Sequence, residues 1–191
     1  MRTERYTATA IALHWLIAAM ILMVLALGLY MADLKLSPTK LKLYSWHKWA
    51  GVTIFMLVVI RVVWRFTHAS PPMPLAMSAW QRHIASGVHV LLYVLMFAIP
   101  LSGWLMSSAK GFQTVYFGVI PLPDLLGKNE ALGELLQQVH GLLNYAMIAI
   151  LIAHAAAALK HQFIDKDDVM RRMLPRRPSR KLLGTPPHKH A

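Results

Sequence analysis

Four long apolar segments limit the folds that this sequence of 191 residues can adopt. They cover roughly residues 9–31, 49–66, 84–106 and 137–159. A helix needs about 20 apolar residues to cross the hydrocarbon core of a bilayer, and each segment is close to that length. The first segment is longer than the apolar part of a secretory signal peptide, and no clear small-residue cleavage site follows it. We therefore predict an all-α integral membrane four-helix bundle in a lipid bilayer, formed by residues 1–174.

The composition excludes several kinds of cofactor site. The chain has no cysteine, which rules out disulfides, thiolate metal sites, iron–sulfur clusters and covalently attached c-type haem. The apolar segments hold almost no carboxylate, so a zinc or di-iron carboxylate site would lack ligands. We expect no nucleic-acid partner, and no obligate protein partner is evident from the sequence.

The distribution of positive charge predicts the orientation in the membrane. Nine of the twenty Lys and Arg residues lie at or after Lys160. Positively charged segments stay preferentially in the cytoplasm, so we expect a multi-pass protein of the bacterial inner membrane with both termini in the cytoplasm. Residues 175–191 are rich in Pro, Arg and Lys, and they are predicted to form a basic, disordered cytoplasmic tail.

One outer loop departs from this charge pattern. The stretch "DLKLSPTKLKLYSWHK" between the first two segments contains four lysines and one acidic residue. The cytoplasmic tail could simply override this loop in setting the orientation. Alternatively, the loop forms an outward-facing cationic patch that attracts an anion. The lysines concerned are Lys35, Lys40, Lys42 and Lys48.

The fourth segment carries two histidines on one face. His140 and His154 are fourteen residues apart, which in a helix is about 1400°, or about 40° short of four whole turns. Their separation along the helix axis is about 21 Å. A single such histidine could be a buried ring bonded to a backbone carbonyl. Ionisable groups inside a membrane are costly, however, and they usually have a function.

The alternating directions of the four helices sort five histidines onto two levels. His47 and His140 share the outer level, and the inner level holds His14, His89 and His154. Neutral imidazole is a suitable ligand for iron, and a bis-imidazole haem needs two facing histidines for each metal. We therefore predict two b-type haems stacked across the bundle. The residues alone leave the inner ligand pair open among three histidines.

The positions fourteen residues after His14, His47 and His89 carry a second pattern. They are Gly28, Arg61 and Gly103. A glycine allows a flat macrocycle to approach the helix backbone, and Gly51, one turn beyond His47, could do the same. Arg61 is a candidate partner for a haem propionate. The alternative is that these residues are ordinary helix contacts and a charged residue near a helix end.

Four sequence pieces, in order, resemble the prokaryotic cytochrome b561 family. They are "IALHWLIA", "SWHKWAG", "GVHVLLYVLMFAIPLSG" and "HGLLNY...LIAHAAAALKHQF...DVMRRMLP". The resemblance extends to about residue 178 and is strongest to the superoxide oxidases of that family. It implies that His47 and His140 ligate the outer haem and that His14 and His154 ligate the inner one.

The resemblance also implies roles for residues near the inner level. His89 would then be an alternative ligand, or a residue behind the ligands or beside the quinone. His161 falls where the family places a ubiquinone contact.

The function implied by the resemblance is an oxidoreductase. A transmembrane diheme cytochrome b would oxidise superoxide to oxygen at the periplasmic side and pass the electrons through two haems to ubiquinone. The outer lysines would then steer the superoxide anion. One alternative is a quinone-linked diheme cytochrome b that anchors or serves another dehydrogenase. The other is a non-redox haem or ion carrier.

Overall fold

A computed structural model describes residues 5–72 and 77–175 of the protein, and these ranges contain four long helices. The helices are α1 (Ala8–Ala32), α2 (Pro38–Thr67), α3 (Ala79–Ala109) and α4 (Glu130–Lys160). All four are long and apolar enough to cross a membrane. The predicted all-α membrane four-helix bundle is therefore confirmed. Of the predicted basic tail, all residues but Pro175 lie outside the described ranges.

Three of the four described helices start at a residue whose side chain accepts a hydrogen bond from a backbone N–H group of the first turn. The side chain of Thr7 accepts a hydrogen bond from the first turn of α1, and Ser37 does the same for α2, where Pro38 follows it. Asn129 caps α4 in the same way. These caps lie in polar sequence outside the apolar segments, so α2, α3 and α4 begin several residues before the predicted spans.

The bundle consists of two helical hairpins. The closest packing is between α1 and α2 and between α3 and α4, while α2 also packs on α3. Helices α1 and α4 approach each other less closely. A buried apolar core lies midway along the bundle, with members from all four helices: Ile17, Ile21, Ile54, Val58, Leu92, Leu95 and Met147. This core separates the two histidine levels.

A short hairpin covers the outer end of α2. Strands β1 (Val115–Tyr116) and β2 (Ile120–Pro121) pair antiparallel in the loop between α3 and α4. The indole of Trp49 donates to the carbonyl of Val115 at 2.7 Å, and the hydroxyls of Thr53 and Tyr116 are 2.9 Å apart. The hairpin is therefore fixed to α2 within a few residues of His47.

The two ends of the described chain meet at the opposite, inner end of the bundle. After α4 the chain continues into a π-helical turn (His161–Asp165) and, further on, a 3₁₀ turn (Arg171–Met173). The Arg5 side chain donates to the backbone carbonyls of Arg171 and Leu174. The Trp15 indole donates to the carbonyl of Met173 at 2.8 Å. The chain segments before α1 and after α4 thus lie side by side.

Candidate functional site

Two histidines face each other at the outer level of the bundle. The ring centroids of His47 on α2 and His140 on α4 are 6.4 Å apart, with ring planes at 78°. A metal–imidazole bond is about 2 Å long, and a ring nitrogen lies about 1.1 Å from the ring centroid. Two imidazoles on opposite sides of one metal therefore have centroids about 6–6.5 Å apart. The spacing of this pair matches what bis-imidazole ligation requires.

The hydrogen bonds of the His140 ring involve Nδ1 and leave Nε2 free to bind a ligand. Its Nδ1 is 3.1 Å from the carbonyl oxygen of Ile99 and 3.0 Å from Oγ of Ser102. A carbonyl can only accept, so Nδ1 carries the proton and Nε2 keeps its lone pair. Metal-binding histidines are commonly held in this way, with the second ring nitrogen donating to a backbone carbonyl.

One buried ring nitrogen of His47 lacks a hydrogen-bond partner among the described residues. This atom, Nδ1, makes no hydrogen bond of normal geometry in the described part of the chain, although the backbone of Val24 lies close to the ring. Buried polar atoms are rarely left unpaired, and such an exception calls for an explanation. A bound group that fixes the ring through one of its nitrogens provides one.

Two glycines fit closely around this pair of rings. A Cβ atom on Gly28 would lie 3.1 Å from Cε1 of His47, and one on Gly103 would lie 3.1 Å from Cε1 of His140. Both contacts are tighter than normal packing allows. The sequence pattern predicted these glycines as places where a macrocycle could approach the helix backbone. In the structure each one makes room for a histidine ring, and the approach of a macrocycle stays a prediction.

A cavity of about 320 Å³ opens beside the two rings. All four helices contribute to its wall, which includes His47, His140, Gly51 and Gly103. Its volume is in the range of small-molecule and cofactor pockets, roughly 300–1000 Å³. Apolar side chains form most of the rest of the wall, among them Ile54, Phe55, Met96 and Met147. The donor set, the ring spacing and the apolar wall all fit a b-type haem.

Three histidines converge at the inner level. The ring centroids of His14 and His154 are 6.3 Å apart, whereas those of His89 and His154 are 5.4 Å apart. The first distance suits ligands on opposite sides of one metal, and the second is too short for that arrangement by the same bond-length argument. The geometry thus favours His14 over His89 as the partner of His154. The ligand assignment itself stays a prediction.

Arg61 lies at this inner level, where the sequence pattern predicted it. Its guanidinium donates to the hydroxyl of Tyr93 at 3.1 Å and to the carbonyl of Ala10 at 3.1 Å, and it contacts Nδ1 of His14 at 3.2 Å. A guanidinium has no acceptor, so Nδ1 of His14 accepts here and Nε2 carries the proton. His14 can bind a metal through Nε2 only if this contact changes. The predicted propionate role of Arg61 stays a prediction.

The four outer lysines have different surroundings. Lys48 lines the cavity beside His47, and its ammonium donates to the carbonyl of Phe112 at 2.9 Å. Lys40 donates to the carbonyls of Ala32 and Leu34 at 3.2 and 2.5 Å, which caps the end of α1. Lys35 and Lys42 are exposed. Lys48 is therefore the predicted steering residue with a direct position at the cavity.

His161 lies beyond the inner level, after the end of α4. Its Nδ1 is 2.6 Å from Oδ2 of Asp167 and 3.3 Å from Oδ2 of Asp165.

The sequence pattern identified His161 but not its partner Asp167, and it also did not identify Ser102 and Tyr93. For Ser102, the available signal was its place next to Gly103, at the level of His140. For Tyr93, it was the position one turn after His89.

The fold and these paired histidines define a transmembrane four-helix protein of the kind that binds b-type haem. The family model described as prokaryotic cytochrome b561 matches residues 5–176. The chain therefore belongs to the prokaryotic cytochrome b561 family, whose members are multi-pass membrane proteins that bind b-type haem and transfer electrons.

Similarity to individual relatives covers nearly the whole chain. "Cytochrome b561 homolog 2" of Escherichia coli (strain K12) is 38% identical over 173 residues, which is 90% of this chain and 92% of the relative. "Cytochrome b561 homolog 1" of the same organism is 31% identical, over 91% of this chain and 99% of the relative. "Probable superoxide oxidase CybB" of Yersinia pestis is 26% identical, over 91% and 98% of the two chains.

Proposed function

We propose that this protein oxidises superoxide to oxygen at the periplasmic face of the inner membrane and reduces ubiquinone at the cytoplasmic face. Two b-type haems would be bound, one by His47 and His140 and the other by His14 and His154. The observation that carries the proposal is the pair of imidazole–imidazole separations, 6.4 Å at the outer level and 6.3 Å at the inner level. When bound, b-type haem supplies one-electron oxidation and reduction.

The residues around the outer pair support a rigid, preformed site. The carbonyl of Ile99 fixes the tautomer and orientation of His140, and the hydroxyl of Ser102 donates to the same carbonyl at 2.8 Å. Gly28 and Gly103 set how closely the helices approach the rings. Electron transfer benefits from a site that does not reorganise, so this support fits a redox function.

The outer surface supports an anionic substrate. Superoxide carries one negative charge, and a cationic surface raises the encounter rate of such a substrate. Lys48 borders the cavity, while Lys35 and Lys42 are exposed and Lys40 caps α1 on the same outer side. The name of the Yersinia pestis relative supports the same substrate for this chain.

The inner end supports a quinone site. His161 lies seven residues beyond His154, which is about 10 Å further along the helix axis. The charge distribution supports the cytoplasm as the location of this end, together with both termini and the basic residues 175–191. In this proposal residues 1–174 form one membrane domain.

The decisive experiment is stopped-flow mixing of superoxide with the oxidised, purified holoprotein while the haem bands are recorded. We expect rapid haem reduction that disappears when superoxide dismutase is added first, and hydrogen peroxide alone should have no effect. Failure of superoxide to reduce the haems, in protein that ubiquinol does reduce, would overturn the proposal.

That failure would favour a second function, a quinone-linked cytochrome b that serves another dehydrogenase. The observation in its favour is that the two Escherichia coli relatives, which are more similar than the Yersinia pestis protein, bear names that state no electron donor. A non-redox carrier would show no reduction by either compound.

A further inference from the structure

The chain after α4 turns back sharply and forms a compact structure around His161. The last helical residues widen into the π-helical turn His161–Asp165, and Lys166 then adopts a left-handed conformation with φ 53°. π-turns and left-handed non-glycine residues are both unfavourable, and they are found preferentially at functional sites. The result is that the backbone N–H of Asp167 donates to the carbonyl of His161 at 3.1 Å.

This turn brings the carboxylate of Asp167 onto the imidazole of His161. Oδ2 of Asp167 is 2.6 Å from Nδ1 of His161, and Oδ1 accepts from the backbone N–H of Val169 at 3.0 Å. The side chains of His161 and Asp167 are only 16% and 21% exposed. Both carboxylate oxygens are therefore held, and the orientation of the histidine ring is fixed by a half-buried partner.

The second carboxylate of the turn has a different partner. Both oxygens of Asp165 lie on the ammonium of Lys160, at 2.8 and 2.6 Å, and Asp165 is further from Nδ1 of His161, at 3.3 Å. A metal ion at this cluster would have to share Asp165 with a positive charge, which disfavours cation binding. The cluster instead separates into an ion pair, Lys160–Asp165, and a hydrogen-bonded dyad, His161–Asp167.

The chemistry of such a dyad is proton transfer. Because a carboxylate accepts, Nδ1 of His161 carries a proton, and Nε2 can give or take a proton on the other side of the ring. The carboxylate holds the ring in one tautomer and one orientation, as in other carboxylate–histidine pairs.

We propose that His161 delivers protons to the quinone and that Asp167 is the positioning residue of this site, an inference that rests on the proposed function. Reduction of one ubiquinone takes two electrons, from two superoxide anions that leave as oxygen, and two protons. The N–H bond at Nε2 of the His161 imidazolium breaks as an O–H bond forms on a quinone oxygen. A cytoplasmic proton then restores the imidazolium for the second transfer.

The test uses the full-length holoprotein in lipid nanodiscs with a short-chain ubiquinone and superoxide. Asp167→Asn removes the anionic partner of His161, and Asp165→Asn is the matched control, a carboxylate of the same turn. General acid–base catalysis contributes roughly 10²- to 10⁴-fold, so we expect Asp167→Asn to lower kcat for quinone reduction at least about 10-fold. KM should stay within about twofold, and the solvent deuterium isotope effect on kcat should increase. Asp165→Asn should change neither quantity appreciably, and Asp167→Glu should recover part of the lost rate.

Separate readouts distinguish this inference from the proposed function. Single-turnover haem reduction by superoxide should be the same in both variants as in the wild type, since it does not involve the quinone. Wild-type kinetics in Asp167→Asn, or an equal loss in Asp165→Asn, would overturn the role of Asp167 while the proposed function stands. A wild-type protein that does not reduce ubiquinone would overturn both. If Asp167→Asn loses haem, the same kinetics in His161→Gln decide: an unchanged kcat overturns the inference.

Discussion

The outer and inner histidine levels differ in how many pairs of metal ligands their geometry allows. At the outer level two rings face each other across 6.4 Å, beside a cavity of about 320 Å³, and the surroundings leave one pairing. At the inner level three rings compete, and a guanidinium contacts one of them. The outer pair is thus held by apolar packing and by the hydrogen bonds of His140, whereas at the inner level a guanidinium lies directly on one of the histidine rings.

The charge of Arg61 explains this difference. An arginine inside a membrane protein needs partners, and here it uses Tyr93, Ala10 and His14. A carboxylate is a stronger, charge-assisted partner for a guanidinium than any of these neutral groups. Binding of a group that carries carboxylates would therefore draw Arg61 away from His14 and free its Nδ1, which allows the ring to take the other tautomer.

The largest expected effect is the loss of one haem on ligand replacement. His47→Ala or His140→Ala should remove the outer haem, and His14→Ala or His154→Ala the inner one, because each proposed pair loses an axial ligand. His89→Ala should retain both. Haem-to-protein ratios and spectra of the purified variants measure this. If His89→Ala loses a haem while His14→Ala retains both, the proposed ligand pair at the inner level is wrong.

The next effect concerns the close contacts at the outer level. Gly103→Val places side-chain atoms against the His140 ring, where a Cβ alone would already be 3.1 Å from Cε1. Overpacking costs about 1–3 kcal/mol, so outer haem affinity should fall roughly 5- to 150-fold. Gly87→Val is the control on the same helix, since nothing lies within 4 Å of its Cβ position. Equal haem affinities in both variants would contradict a close fit.

A smaller, several-fold effect is expected from the outer lysines. Replacing Lys35, Lys42 and Lys48 together with Gln should slow haem reduction by superoxide, because it removes three charges that attract the anion. Lys40 is best left intact because it caps α1. Among single variants, Lys48→Gln should have the largest effect, given its position at the cavity. Added salt should slow the wild type more than the triple variant. Reduction by ubiquinol is the control and should be unchanged.

The last expected effect leaves both haems bound and is a shift in the potential of one of them. Arg61→Met removes a positive charge from the inner level, which should lower the potential of the inner haem by roughly 50–100 mV at an effective dielectric constant of about 20. Arg61→Lys keeps the charge and should shift it less. A spectroelectrochemical titration resolves the two haems. An equal shift of both potentials would show that Arg61 does not belong to the inner level alone.

Sequence alone predicted the features that depend on periodicity and length. The four helices follow from the lengths of the apolar segments, and the fourteen-residue interval places Gly28 and Gly103 at the outer level. Their close contacts with the His47 and His140 rings were not predicted. The contacts of Arg61 with Tyr93 and Ala10 join three helices, and no local pattern reports such a contact. The His161–Asp167 dyad was missed for a different reason. Its turn depends on Lys166 in a left-handed conformation, which a lysine in the sequence does not signal.

The packing of the helices has a consequence for assembly. The helices pack most closely within two hairpins, α1–α2 and α3–α4, and α1 and α4 approach each other less closely. Each proposed ligand pair joins α4 to a helix of the first hairpin. In the proposed arrangement, each haem would therefore link the two hairpins through its pair of histidine ligands. In this view the shared apolar core already joins the two hairpins, and haem binding would add a covalent-strength link between them at each histidine level.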